Sequence, residues 1–195
     1  MYIPNLDRSK LLERLKYSMT KKEVLQLAQS FFESGIDPED ILSLSNNENQ
    51  AVGFHSAWVL ENMLLPFPEA LDYYLPKIIE KIPTSQNASV QRHLTKMASH
   101  GIQRIVKRKT SRILEKEFWK TDLEPLEECC FKWLVDEETK PAVKAHCMDI
   151  LFLLSKHQRW IADELPYIID NQVSLGSPGL RARGKEIIKQ LKLGH

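Results

Sequence analysis

The sequence predicts an all-α fold of stacked helix pairs, and three observations carry that prediction. Helix-start signals recur along the chain, while no segment sustains the period-two alternation of a strand. Two stretches, LPKIIEKI from Leu75 and LPYIIDNQ from Leu165, match one another, and each is followed fifteen residues after its leucine by an apolar residue that opens another helix, Val90 and Leu180. Four segments then share one apolar register: AVGFHSAWVLENM from Ala51, SVQRHLTKMASHG from Ser89, AVKAHCMDILFLL from Ala142 and GLRARGKEIIKQL from Gly179.

Taken in order, residues 7–34 predict two helices that cap the open end of the array, a need every stacked repeat has. Thr20 with Glu23 reads as a capping box, and Gly35 closes the helix it opens, because glycine readily takes the left-handed conformation that ends helices. Asp37-Pro38 sets a cap before a first-turn proline and starts the first helix pair, over residues 36–65. The second pair covers 69–108. An insertion at 109–119, KTSRILEKEFW, either lengthens a helix or forms an extra turn. Thr121 with Glu124 reads as a second capping box for a third pair over 122–156, and Ser177-Pro178 repeats the cap-then-proline logic within the fourth, over 160–193.

Counted from Val52, Val90, Val143 and Leu180, apolar or small residues recur at offsets four, seven, eight and eleven. Offset seven holds Val59, Met97, Ile150 and Ile187; offset eight holds Leu60, Ala98, Leu151 and Ile188. This is one amphipathic stripe used four times. Offset four holds Ser56, Leu94, Cys147 and Gly184, and its small members let a neighbouring helix approach closely. The anchors lie 38, 53 and 37 residues apart, which fits a repeat of about 40 residues with one insertion.

Composition narrows the function classes. A chain of 195 residues with 43% hydrophobic and 27% charged residues suits one globular domain or a short repeat array without metal or disulfide staples. Lys+Arg 27 against Asp+Glu 26 leaves the field near neutral, which disfavours a surface devoted to gripping a polyanion. Pro4 and Asp7 interrupt the start where a secretory signal needs an apolar stretch, and the apolar run from Ile150 to Leu154 is too short to cross a bilayer, so a cytoplasmic location without a membrane partner is expected. Cys129, Cys130 and Cys147 form no C-x-x-C pair and read as reduced thiols. No Gly-rich phosphate loop, G-x-S-x-G or H-E-x-x-H occurs, so neither a catalytic residue nor a cofactor is assigned. His93 and His100 share a helix face but lack the third and fourth ligands a zinc site needs, and no metal is expected.

The second helices carry a family resemblance. Val143-Lys144 with Cys147, and Leu180-Arg181 with Gly184, place an apolar-basic pair and then a small residue as HEAT repeats do, and residues 36–193 resemble the HEAT and armadillo-like helical-repeat family. The resemblance implies a right-handed α-solenoid, an ARM-like superhelix, of about four helix pairs behind N-terminal capping helices. Where that family often has an aspartate before the second helix, this chain has Asn49, Asn87, Lys140 and Ser177. AWVLE early and SPGLRARGKEIIKQL late are also similar to a group of small bacterial HEAT-like proteins, some of which carry an adenylosuccinate lyase label. That activity is not expected, because the Ser-rich, Met-Pro-Lys-containing loop of true lyases has no counterpart here and the chain is far shorter than a lyase subunit.

On each second helix, offsets three, six and ten lie side by side at about 300°, 240° and 280°, just off the core stripe. That flank reads His55, Trp58, Asn62, then His93, Lys96, His100, then His146, Asp149, Leu153, and finally Arg183, Glu186, Gln190. In a solenoid the second helices line the concave face, so His55, Trp58, Asn62, Arg92, His93, Lys96, His100, His146, Asp149 and Arg183 form a candidate partner-binding band with Trp58 as aromatic anchor. The alternative is a boundary between core and solvent, where such rings pack and keep one polar atom wet.

Residues 104–112, RIVKRKTSR, carry five bases and no acid, while 115–138 carry nine acids. Arg104, Lys107, Arg108, Lys109 and Arg112 are a candidate patch for phosphate or an acidic segment, or simply a solvated helix face. Arg92, Lys96, His100, Arg104 and Arg108 recur every fourth residue along one predicted stripe. The leading expectation is a non-catalytic scaffold that binds another protein or peptide segment. Nucleic acid is a second candidate partner, through a likeness in residue type to helical-repeat DNA glycosylases that rests on Trp58, Glu61 and Arg92. A structural homodimer is a third possibility.

Overall fold

The computed structural model describes residues 8–173 and 176–193. Pro4 and Asp7, used above against a secretory leader, lie outside them. Among the described residues there are eleven α-helices and no strand. The chain divides between Met97 and Ala98 into two compact units. That boundary falls inside one helix, and each unit is described by itself.

In the first unit, α1 (Arg8–Lys16) and α2 (Lys21–Glu33) precede α3 (Pro38–Ser43) and the long α4 (Gln50–Leu64), followed by α5 (Pro68–Lys81) and the start of α6 (Ala88–Val106). The predicted signals are used. The Thr20 hydroxyl accepts from Glu23 N–H while the Glu23 carboxylate accepts from Thr20 N–H, completing the capping box of α2. Gly35 ends that helix at φ 69°, with its N–H on Phe32 O and Ile36 N–H on Phe31 O, the paired bonds of a Schellman stop. Asp37 caps α3 through Glu39 N–H and also accepts from the Tyr74 hydroxyl on α5. Asn49 and Asn87 cap α4 and α6 with their side-chain oxygens, so asparagine serves where the family often has aspartate.

Helix α4 is the hub of this unit and packs against α1, α2, α3 and α5. Ten of its fifteen residues are buried, too many for a simple amphipathic stripe. One close approach requires a glycine. A Cβ on Gly53 would meet the Ser45 carbonyl oxygen at 2.8 Å, in the 3₁₀ turn Leu44–Asn46. Small volume there is what lets α4 lie against that turn.

In the second unit, the end of α6 is followed by α7 (Arg112–Phe118), α8 (Glu124–Val135), α9 (Pro141–Leu154), α10 (Arg159–Ile168) and α11 (Pro178–Leu193). The insertion thus forms a short helix of its own, opened by the Ser111 hydroxyl on Leu114 N–H. Helix α9 packs against α8, α10 and α11. Thr121 differs from expectation. Its hydroxyl donates to Glu117 O at the end of α7, and Asp122 instead accepts from Glu124 N–H, because Pro125 starts α8 closer to Asp122. The basic stripe also breaks: α6 ends at Val106, and Arg108 turns to φ 51°, leaving the face it would occupy on a continuing helix.

The four-fold register survives in side-chain burial. Offset four (Ser56, Leu94, Cys147, Gly184) and offset seven (Val59, Met97, Ile150, Ile187) are buried in every repeat. Of the offset-eight residues only Ile188 is half-buried, lining a shallow cavity with Ile169 and Pro178. The matching Leu-Pro pairs fall within α5 and α10, where Pro76 and Pro166 each remove a main-chain donor, and α10 runs on into a wider π turn at Ile169–Val173.

Candidate interaction surface

In the first unit the flank of α4 meets the flank of α6 around one carboxylate. Glu61 is 7% exposed, and its two oxygens accept separately, from His93 Nδ1 at 2.7 Å and from Lys96 Nζ at 2.7 Å. Arg92 fixes the tautomer of His93. A guanidinium can only donate, and Arg92 Nη2 lies 2.9 Å from His93 Nε2, so Nε2 accepts and Nδ1 carries the hydrogen that Glu61 receives. Burial pushes the His93 imidazole below its ordinary value, more than the attraction of Glu61 raises it. For Glu61 burial pushes upward, yet the hydrogen bonds of His93 and Lys96 together outweigh it and hold the carboxyl at about 2. The cluster at neutral pH is therefore an ionised Glu61, a neutral His93 and two cations.

Aromatic rings pack against the His93 member of this cluster. Trp58 is half-buried and stacks with Phe54 at 5.5 Å between centroids and with His93 at 6.3 Å. Asn62 donates back to Trp58 O one turn earlier, at 2.8 Å. Of the predicted band, Trp58, Asn62, Arg92 and Lys96 are half-buried and His93 is buried, all within this unit. His55 is 6% exposed and faces elsewhere: its Nδ1 donates to the Leu15 carbonyl at 2.7 Å. That carbonyl sits in the last turn of α1, where helical partners run out, so His55 caps α1 from α4.

The second unit builds a related pair. Asp149 on α9 accepts from the Arg183 guanidinium on α11 at 2.5 Å, and His146 Nδ1 stands 4.0 Å from its other oxygen. Burial raises the Asp149 carboxyl, and Arg183 offsets only part of that; the exposed His100 adds a smaller pull in the same direction as Arg183. Three of the four offset-three residues share an action, whereas the acceptor that His146 faces, Asp149, is on its own helix. His55, His93 and Arg183 each reach back from their own helix to an acceptor on an earlier one: Leu15 O, Glu61 and Asp149.

The basic patch is dispersed by the turn after α6. Arg104 donates to Lys109 O, while Lys107, Arg108, Lys109 and Arg112 are exposed. Arg108 and Arg112 line an open cavity with Lys116 and Lys120, two bases from the segment read above as acidic. Missing from the sequence-level band was Glu61 as the shared acceptor, although it lies one turn after Trp58 beside Asn62.

Both Glu61 oxygens are engaged. Cys129, Cys130 and Cys147 are buried free thiols, with burial pushing Cys129 up to about 12 and a hydrogen bond with Cys147 holding Cys130 well above its ordinary value. Among the described residues no group of three metal-ligating side chains converges, and no helix is long and apolar enough to cross a membrane. A family model described as HEAT repeat domain matches residues 11–191. No curated protein and no solved structure matches the chain.

Proposed function

Because the chain belongs to the HEAT repeat domain family, whose helical-repeat scaffolds commonly serve protein interaction, we propose that it is a non-catalytic scaffold that docks another protein on the α4 and α6 flank. One observation carries the reading: the half-buried Trp58 ring stacks on Phe54 and on His93, and His93 is itself joined to Arg92 and to the ionised Glu61 that also holds Lys96. A rigid aromatic flanked by cations held in place offers contact area with little ordering cost, the property of interface anchors. An extended segment with an apolar side chain for Trp58 and an acidic one for Arg92 would suit it.

The test is a comparative pull-down from the native source with the unaltered chain, Trp58→Ala and Lys96→Gln, each checked by thermal melting. Loss of the same specific partner in both folded variants supports the proposal. An unchanged partner set removes it.

The nucleic-acid reading would use Trp58, Glu61 and Arg92. The engagement of both Glu61 oxygens by His93 and Lys96 favours a positioning role for that carboxylate over a catalytic one. Titration with duplex DNA at two salt concentrations separates the readings, since binding through phosphates weakens steeply as salt rises.

A further inference from the structure

The turn between α6 and α7 holds a second candidate site, independent of the α4 and α6 flank. Its cavity measures about 830 Å³, within the range of roughly 300–1,000 Å³ common for ligand pockets. Arg108, Arg112, Lys116 and Lys120 line it, and the one opposing acid in the lining is Glu115. Glu115 stands 3.9 Å from Arg108 Nε, and Lys120 is shared with Glu117 at 2.8 Å, so part of the positive charge is already balanced.

Two further lining residues carry buried polar atoms with no hydrogen-bond partner among the described residues: the Thr110 hydroxyl and the Trp119 indole Nε1. An indole N–H can only donate, so it requires an acceptor. Leaving such a group unmet in the interior costs about 1–3 kcal/mol, and unmet groups of this kind in native folds call for a cause. Backbone strain occurs at the same place. Arg108 occupies the left-handed region at φ 51°, which a non-glycine residue adopts at a cost of about 1–2 kcal/mol. Arg104 braces the turn by donating to Lys109 O at 3.1 Å.

We propose that this cavity binds a phosphomonoester dianion presented by a protein side chain, with the Trp119 indole and Thr110 hydroxyl as donors and Arg108, Arg112, Lys116 and Lys120 supplying the charge. The chemistry selects the ligand. Two donors of fixed position and several flexible cations suit a compact group with three acceptor oxygens and nearly two negative charges, more than the two oxygens and single charge of a carboxylate. Convergence of the bases on one cavity suits a terminal phosphate better than the running phosphodiester backbone of a nucleic acid. The cavity is also larger than a bare phosphate requires, which leaves room for the residues that carry it. The Arg112, Lys116 and Lys120 side chains are exposed and unhindered by packing, so they can swing aside to admit the group and close over it.

The probe is O-phosphoserine, titrated into the full chain while the indole N–H resonances of its four tryptophans are followed, with Trp119→Phe identifying the signal of interest. The expected result is a saturable shift of the Trp119 resonance with phosphoserine and none with serine at matched ionic strength. Arg112→Glu with Lys116→Glu, both at exposed positions, should weaken it about tenfold or more. No shift overturns the proposal, as does a shift that survives the double reversal. A duplex oligonucleotide that moves the same resonance at lower concentration than phosphoserine also overturns it, in favour of a phosphodiester ligand.

Discussion

His93 on α6 donates its Nδ1 hydrogen to Glu61 on α4 across 2.7 Å, and this bond ties two second helices together while the Trp58 ring stacks on His93. Lys96 takes the other Glu61 oxygen, so one buried carboxylate orders two residues of α6. Glu61→Gln removes the charge and sets an amide N–H against one of two donors. The expected loss is about 2–4 kcal/mol of stability, the scale on which breaking a buried charged network is felt. Urea unfolding measures it; a loss within about 0.5 kcal/mol, the range of an ordinary surface change, contradicts the role given to Glu61.

The same cluster sets a pH dependence. His93 titrates below its ordinary value of 6.5 in the folded chain, so under more acidic conditions the unfolded chain binds more protons and folding weakens. Glu61, lowered from 4.5 to about 2, contributes stability that is complete above 4.5 and is lost as pH falls toward about 2. Stability should therefore decline first from His93 and then from Glu61 as acid is added. His93→Asn keeps a donor near Glu61 but cannot titrate. Its urea midpoint should change less between about pH 7.5 and about pH 5.5 than that of the unaltered chain; an equal change would assign the dependence to other groups.

Gly53 predicts a packing effect that needs no chemistry. The Cβ of Gly53→Ala would stand 2.8 Å from the Ser45 carbonyl oxygen, which belongs to backbone and cannot swing away. Overpacking of this kind costs about 1–3 kcal/mol, here against the helix propensity alanine adds. A melting temperature equal to or above that of the unaltered chain would show that the turn yields.

Arg183 holds part of the Asp149 charge in the second unit, where burial already raises the carboxyl. Arg183→Met leaves burial unopposed by its strongest partner, so the Asp149 titration, followed by carbon NMR of its carboxyl, should move further up. A downward shift would mean that the pair does not form in solution.

Much of the fold was legible before any coordinates. The Thr20–Glu23 box, the Asp37 cap, the Gly35 stop and the recurring apolar offsets are local rules, and local rules are carried by neighbouring letters. Thr121 misled because its hydroxyl had a competing acceptor, Glu117 O, which depends on where α7 ends. The site was legible in outline only. Offset-three histidines were visible as a column, but their acceptors, Leu15 O and Glu61, lie 40 and 32 residues away and become neighbours through packing of α4 with α1 and α6. Lys116 and Lys120 were hidden in a segment whose acids outnumber its bases, because charge counted along the chain ignores which side of a short helix each residue occupies.

The central proposal, that a protein partner lies on the α4 and α6 flank, is tested most directly by photocrosslinking. With p-benzoylphenylalanine in place of Asn62, beside Trp58, irradiation in the native source should give one discrete crosslinked protein, and that product should vanish when Trp58→Ala is added. The same probe in place of the exposed Glu80 on α5 should not give it. A crosslink at position 80 but none at 62, or a product at 62 indifferent to Trp58, would contradict the account.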